Sequence, residues 1–427
     1  MGKQQLCLYP DLRLDPEAQS SPGDFVLVDP QRYFAGIGHA LRLSPGETLA
    51  IDRNTHDQIY AFSSPREAFR RHFSIVHAGD ALVFKDPISE LGTYISLREG
   101  DGLRILNRRI AALRRIRDIF GDMLQPFPAD EALEVLKKVN RCLRQEAYRP
   151  KDTFGNPGGL LQLPPRLVPI LVGDLHAQID NLLKILSENS FLESLEKGEA
   201  ALIIIGDAVH AEEEGKLEAM DSSLLMMDLI FKLKLQYPEQ VFYLVGNHDS
   251  FSHDLMKHGV PQGLLWEKHV VATRGDEYKA ELDLFYRQSP LVLVSDDFIA
   301  CHAGPPRSKV SMETLVNVRQ FPDVVRNLTW SRIRTSGFPA GYTRADVRRF
   351  RKGLEVESAT PFIVGHHPYS AEGTLWQNVG HIAQHHIVLS CRPDQIGLFT
   401  RIDGHMVAQR YPTEPLAEWL NQLPAAT

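Results

Sequence analysis

The sequence predicts an α/β protein, a layered β-core flanked by helices, preceded by an all-β sandwich. Two observations predict the core. From Leu167 onward, near-continuous apolar runs alternate with segments of helical period, as expected of strands buried on both faces. Most of these runs stop at a glycine followed by a polar loop, and α/β cores gather ligands at such strand ends. A third observation predicts the sandwich. Between residues 25 and 105, short apolar runs alternate with turn signals at close spacing.

Residues 1–24 read as an N-terminal tail. "MGKQQLCLYPDLRLDPEAQ" lacks the apolar centre of a signal peptide, and Leu6 breaks the myristoylation pattern. The strands of the sandwich, residues 25–105, are "FVLV", "ALRL", "TLAI", "QIYAF", "HFSIV", "ALVF", "TYISL" and "LRIL", with "SPGE", "HAGD" and "EGDG" as turns. Residues 106–150 read as a helical connector, because "RRIAALRRIRDIFGDML" and "ADEALEVLKKVNRCLRQEA" carry apolar residues at helical spacing, with Asp130 as the candidate N-cap. "YRPKDTFGNPGGLLQLPPR" is a Gly/Pro-rich connection into the main domain, residues 151–412. There "LVPILVG" leads to "DLHAQ" and the helical "IDNLLKILSE", and "AALIIIG" to "DAVH". "SSLLMMDLIFKLKLQ" is helical, and "QVFYLVG" leads to "NHD". "LVLVSDDFIACHAG" reads as a hairpin turning at Asp296 and Asp297, and "PFIVG" leads to "HHP". Residues 413–427 read as a C-terminal tail.

The 427 residues are enough for two or three domains. A net charge of −7 and a pI of about 6.2 argue against broad binding to nucleic acid or to an anionic membrane. No apolar run reaches membrane-spanning length. Cys7, Cys142, Cys301 and Cys391 show no C-x-x-C spacing. They fit reduced thiols in a cytoplasmic protein, with a structural disulfide as the alternative.

Each core strand ends in a potential metal ligand: Asp174 and His176, Asp207, Asn247 and His248, His302, then His366 and His367. Any one block is common as a loop residue or cap; five in succession point to a metal centre. Mixed carboxylate, imidazole and amide donors suit manganese first, with iron or zinc as alternatives. Asp174 and His176, two apart on an extended segment, can face one ion. A bridging Asp207 brings a second ion close, completed by Asn247, His302 and His366. Such a pair activates water and clamps phosphoryl oxygens. His248, beside a ligand, suits the general acid.

These blocks resemble the calcineurin-like metallophosphoesterases, and within them the phosphoprotein phosphatases. The family's G-D-x-H-G, G-D-x-V-D-R-G, G-N-H-E and H-G-G patterns stand here as "GDLHA", "GDAVHAE", "GNHD" and "HAG", and its last Gly-His block as "GHH". "LTWSRIR" and "VLSCRPDQIG" resemble further family segments, so the resemblance covers about residues 128–412. It implies a layered metallophosphoesterase core, two divalent ions and a phosphoprotein substrate. The ligands it implies are Asp174, His176, Asp207, Asn247, His302 and His366, with Asn247 also binding substrate. Three departures stand out. Ala177 replaces a glycine, His210 replaces the aspartate that orients the acid, and Ala211 replaces a phosphate-binding arginine. His210 reads equally as a substitute partner, a substrate contact or a solvent-facing residue. Arg332 or Arg334 can supply the missing guanidinium, with a surface charge as the competing reading of each. Glu212, Glu213 and Glu214 read as a solvated loop or helix start. His381, His385 and His386 read as structural or rim residues.

The N-terminal region resembles a forkhead-associated domain, a sandwich that reads phosphothreonine. Arg53 matches its phosphate-binding arginine, His72 its structural histidine and Gly92-Thr93 its closing turn. Phe69 stands in place of the phosphate-contacting serine and Leu91 in place of an asparagine. The expectation is divided between a phosphopeptide reader and a module for packing or protein contact. For the whole chain the expectation is a dimetal phosphomonoesterase, a protein phosphatase acting on phosphoserine/threonine or phosphotyrosine. The alternatives are a phosphoesterase for nucleotides or other small molecules, and a non-catalytic phosphoprotein scaffold.

Overall fold

The computed structural model describes residues 5–10, 25–28, 41–44, 46–51, 73–77, 82–85, 94–97, 101–121, 123–213 and 215–422. Arg53, Phe69, His72 and Leu91 to Thr93, which carry the forkhead-associated resemblance, lie outside the described residues, as does Glu214. The chain divides into two compact units, one of residues 1–117, 186–190 and 414–427, the other of residues 118–185 and 191–413.

In the first unit, strands β1 (Gln5–Pro10), β2 (Phe25–Val28), β3 (Leu41–Leu43) and β7 (Tyr94–Leu97) form one sheet in the order β3-β2-β1-β7. Strands β4 (Thr48–Ile51), β5 (Phe73–His77) and β6 (Leu82–Lys85) form another. Strand structure thus begins at Gln5, inside the stretch read as a tail. The "LRIL" run is not a strand. It lies in helix α1 (Asp101–Phe120), whose Ile110, Leu113, Ile116 and Phe120 are buried at helical spacing. A four-residue apolar run does not by itself distinguish the two structures.

The second unit holds two sheets face to face. Strands β9 (Val168–Val172), β10 (Ala200–Ile204), β11 (Val241–Tyr243), β17 (Gln395–Ile402) and β18 (His405–Pro412) make one, ordered β11-β10-β9-β17-β18. Strands β8 (Leu160–Gln162), β12 (Val292–Val294), β13 (Ile299–Cys301), β14 (Phe362–Val364), β15 (Leu375–Trp376) and β16 (His385–Val388) make the other, ordered β15-β16-β14-β13-β12-β8. The expected hairpin is β12–β13, with Val292 opposite Cys301. Alternation along the strands builds two cores. Leu293, Ala300 and Ile363 join Leu171, Ile203 and Phe242 between the sheets. Their neighbours Val292, Ile299 and Phe362 join Leu315, Leu328 and Phe350 on the outer face. Period-two side chains on strands buried on both faces produce this division. Each fully buried Leu, Ile, Val or Phe contributes roughly 1.5–3 kcal/mol.

Helices cover these layers: α2 (Ala129–Arg144), α3 (Ile179–Ser187), α4 (Phe191–Glu196), α5 (Asp221–Gln236), α6 (Gln262–Gln288), α7 (Met312–Val316), α8 (Pro322–Trp330) and α9 (Arg344–Gly353). Helix α6 is interrupted at Gly275, and α10 (Leu416–Gln422) belongs to the first unit. The cap of α2 is Pro128 rather than Asp130. Proline's fixed φ suits a helix start, and Asp130 falls in the first turn, where a carboxylate is stabilised by the positive end of the helix dipole. No described helix is long and apolar enough to cross a membrane.

Candidate metal centre

Parallel strands β9, β10 and β11 bring Asp174, Asp207 and Asn247 to one edge of their sheet, and parallel β13 and β14 bring His302 and His366 from the other. Two glycines allow the carboxylates to lie against backbone. A Cβ on Gly246 would sit 2.2 Å from Asp207 Oδ1, and one on Gly365 would sit 2.2 Å from Asp174 Oδ1. The loops turn sharply, with His176 (φ 42°), Ala177 (60°), Asp207 (52°), His210 (68°) and His366 (67°) in the left-handed region. Each such residue costs about 1–3 kcal/mol and persists only where the surroundings impose it. Here hydrogen bonds impose it: the His176 and Ala177 amides donate to the Asp207 and Ala208 carbonyls at 2.9 and 2.8 Å.

The imidazoles are aimed by their outer nitrogens. His302 Nδ1–H donates to the Ile205 carbonyl at 2.8 Å, so Nε2 faces Asn247 Oδ1 at 2.9 Å and Asp207 Oδ2 at 3.2 Å. His176 Nδ1–H is shared by the Val209 and His210 carbonyls at 3.2 and 3.0 Å, and its Nε2 faces the cavity. The His366 amide donates to both oxygens of Asp174 at 3.0 Å. Atoms able to bind a cation therefore converge, and a divalent ion would replace the proton that His302 Nε2 shares with Asn247 and Asp207. His176, Asp207 and His248 form one set of donor atoms within 4.8 Å of one another, and Asp207, His302 and His366 form a second that shares Asp207. Oxygen and imidazole donors of this kind suit a divalent transition metal.

The charges fit the same picture. Burial, then the Asp207 charge, raises Asp174 to about 6, although His302 and His176 oppose this. Burial would also raise Asp207, but His302 and His248 hold it well below the usual carboxylate range. His302 is pushed up to about 9, since Asp207 and Asp174 outweigh the burial that disfavours its charge.

His210 is fully buried. Its Nδ1 lies 3.0 Å from His248 Nδ1, and its ring meets Trp266 edge-on at 6.1 Å. Burial, with the neighbouring His248, holds its pKa well below the ordinary value. Burial likewise pushes His248 down to about 4, despite Asp207. Of the three readings of His210, this placement matches the partner of His248.

Beside the donors lies a cavity of about 240 Å³ whose walls include Asn247, His248, Arg332, Lys257, Glu212 and Cys391. Arg332 stacks over Phe338 at 4.7 Å, whereas Arg334 is exposed and lies outside that wall. Of the rim candidates, His385 is a core residue bonded to Tyr342 and the Phe362 carbonyl, His386 is buried against Phe399, and His381 is exposed.

Four contributors are not foreseen in the sequence. Glu212 is no solvated loop residue: its Oε1 lies 3.2 Å from His176 Nε2, and it pairs with Lys257. Burial would raise its pKa, but His176 and Lys257 outweigh that and lower it. Lys257 is the ammonium of the cavity wall. Cys391 brings a thiol to the same wall. Asp249 Oδ2 accepts from the Gly246 and Asp207 amides at 2.7 and 3.2 Å, beneath the floor. Only Asp249 carries a signal, its place beside His248.

Residues 169–385 match the profile of the calcineurin-like phosphoesterase family. A 100-residue segment is 32% identical to serine/threonine-protein phosphatase PP1-delta of Caenorhabditis elegans, covering 23% of this chain and 28% of that protein. The chain therefore spans under a third of that relative's length. A protein serine/threonine phosphatase of Saccharomyces cerevisiae, with similarity to human phosphatase PP5, superposes with a TM-score of 0.50 at 14% identity, over 67% of this chain and 90% of that one. This is a likeness of fold. A cold-active protein-tyrosine phosphatase of a psychrophilic Shewanella species aligns with a TM-score of 0.39 at 12% identity, over 92% of this chain and 96% of that one.

Proposed function

The chain belongs to the calcineurin-like phosphoesterase family, and from that premise we propose that it is a dimetal phosphomonoesterase acting on phosphoproteins. Asp174, His176 and Asp207 would hold one divalent ion, and Asp207, Asn247, His302 and His366 the other. Bound there, the pair supplies an activated water and neutralises phosphoryl charge. The observation that carries the reading is the approach of His302 Nε2 to both Asn247 Oδ1 and Asp207 Oδ2, where a divalent ion would take the place of the Nε2 proton.

The remaining steps fall to the chain's own residues. Arg332 and Lys257, on the cavity wall, bind phosphoryl oxygens in place of the guanidinium absent at Ala211. Asn247 orients the same group through its amide. His248 offers Nε2–H to the leaving oxygen while its Nδ1 accepts from His210 Nδ1–H. A neutral imidazole in this state is a hydrogen-bond donor and a weak acid. So weak an acid suffices where the leaving group departs readily, as a phenolate does, and serves an alkoxide less well. The likeness to serine/threonine phosphatases favours protein substrates over nucleotides.

The deciding experiment is turnover by metal-reconstituted protein of phosphoserine, phosphothreonine and phosphotyrosine peptides beside dinucleotides and small phosphate esters. We expect peptides to be hydrolysed with the higher kcat/KM. Faster turnover of dinucleotides would move the assignment to a nucleotide phosphoesterase, and no turnover of any substrate would favour a scaffold.

A further inference from the structure

His176 Nε2 faces more than one carboxylate. Asp174 Oδ2 lies 3.9 Å away and Glu212 Oε1 only 3.2 Å. An imidazole nitrogen binds a single ion, so a group that shares an ion with Nε2 shares it with Asp174. The donor atoms of His176, Glu212 and Cys391 also lie within 4.8 Å of one another. Zinc–ligand bonds run about 2.0–2.3 Å, so two of them span at most about 4.6 Å. Small adjustments place all three donors on one ion.

We propose that Glu212 and Cys391 are further ligands of the ion held by Asp174, His176 and Asp207, giving that position a sulfur donor that selects zinc. The inference rests on the dimetal reading above.

Both added donors are built into place. The chain reverses at Asp207 and His210, both left-handed, which turns Glu212 back toward His176. Glu213 accepts from Gln178 at 2.6 Å and ties the loop to the segment after His176. Cys391 is pinned on both sides, since Asn181 Nδ2 donates to the Ser390 and Arg392 carbonyls at 2.7 and 3.1 Å. Ser390 Oγ accepts from the Gly173 amide at 3.0 Å and donates to the Gly397 carbonyl at 2.7 Å. The thiol is thereby fixed beside the strand end that carries Asp174.

The donor set read from the sequence contains oxygen and nitrogen alone and ranks manganese first. A thiolate shifts the preference toward zinc. Binding releases the thiol proton to solvent. The second position keeps Asp207, Asn247, His302 and His366 and gains nothing, so the two positions differ in softness and in openness to water.

The test uses full-length protein, its E212Q, E212D and C391S variants, and cobalt(II) and zinc as probes. Thermal unfolding without metal first checks that each variant folds. The cobalt-loaded protein should show thiolate-to-cobalt charge-transfer absorption in the near ultraviolet, absent from C391S. Competition with a chromophoric chelator should show zinc at one position weakened roughly 10–100-fold or more in E212Q and in E212D, with the other position unchanged. E212D keeps the charge but not the reach, so a purely long-range electrostatic role would leave it like the parent. A parent protein that loads two ions without the thiolate band, or unchanged zinc affinity in both glutamate variants, overturns the inference alone. A parent protein that takes up neither ion overturns it together with the reading it rests on.

Discussion

His210 Nδ1 lies 3.0 Å from His248 Nδ1, and both rings are buried. One ring must donate and the other accept, so the pair cannot carry two charges. A carboxylate partner would stabilise an imidazolium at His248; an imidazole partner does not. We expect phosphotyrosine peptides to be turned over at least as fast as phosphoserine or phosphothreonine peptides, because a phenol has a pKa near 10 and needs little protonation. His210→Asp should shift the kcat/KM ratio toward the alkyl esters. A clear preference of the parent protein for phosphoserine or phosphothreonine in matched peptides contradicts this.

Asp207→Asn should lose one ion and nearly all activity. Neutralising the carboxylate shared by both donor sets leaves two cations without their common counter-charge. Elemental analysis alongside turnover checks this, and retention of both ions would refute a bridging role.

His248→Asn should retain both ions and slow hydrolysis of an alkyl phosphate by roughly 10²-fold, the lower end of the range for general acid–base groups. An aryl phosphate should be less affected. Loss of an ion in this variant would make His248 a ligand, as its closeness to His176 and Asp207 also permits.

Ala177 has φ 60°, a conformation that glycine adopts without a Cβ clash. Ala177→Gly should stabilise the protein by about 1 kcal/mol, the relief being partly offset by greater freedom in the unfolded chain. Denaturant unfolding reads this directly, and a less stable variant would show that the Ala177 methyl packs for more than it strains.

His385 links stability to pH. Its Nδ1–H donates to the Phe362 carbonyl and its Nε2 accepts from Tyr342 at 2.8 Å, so the neutral ring is satisfied. Burial lowers its pKa to about 3. An unfolded histidine titrates near 6.5, so below that pH the unfolded chain binds a proton that the folded chain does not. The contribution is fully present above about pH 6.5 and is lost as pH falls toward 3, by about 1.4 kcal/mol per unit. His385→Gln should be less stable at about pH 7.5 yet fall less steeply on acidification. Equal slopes for parent and variant in metal-free unfolding would remove His385 from the linkage.

The floor of the site was legible because strand ends are. Apolar runs closing on Gly-Asp, Gly-Asn or Gly-His announce both the fold and candidate donors, and the structure brings Asp174, Asp207, Asn247 and His366, with His302 after Cys301, to neighbouring strand ends. The walls were not legible. Whether His210 points to solvent or to His248, and whether Glu212 faces water or His176, depends on single left-handed residues that no periodicity reports. Lys257 and Cys391 arrive from loops distant in sequence, and Arg332 differs from Arg334 only in which side of its segment it faces.

Gly246 and Gly365 press the two carboxylates against bare peptide rather than against side chains. Each carboxylate is thus seated against main chain, a surface that no rotamer change can alter. Variation has little purchase on the floor: any side chain at either glycine evicts a carboxylate. New specificity has to be written on the rim, in the loops bearing Glu212, Lys257, Arg332 and Cys391, and this chain differs from its relatives' pattern in just such a loop, at His210 and Ala211.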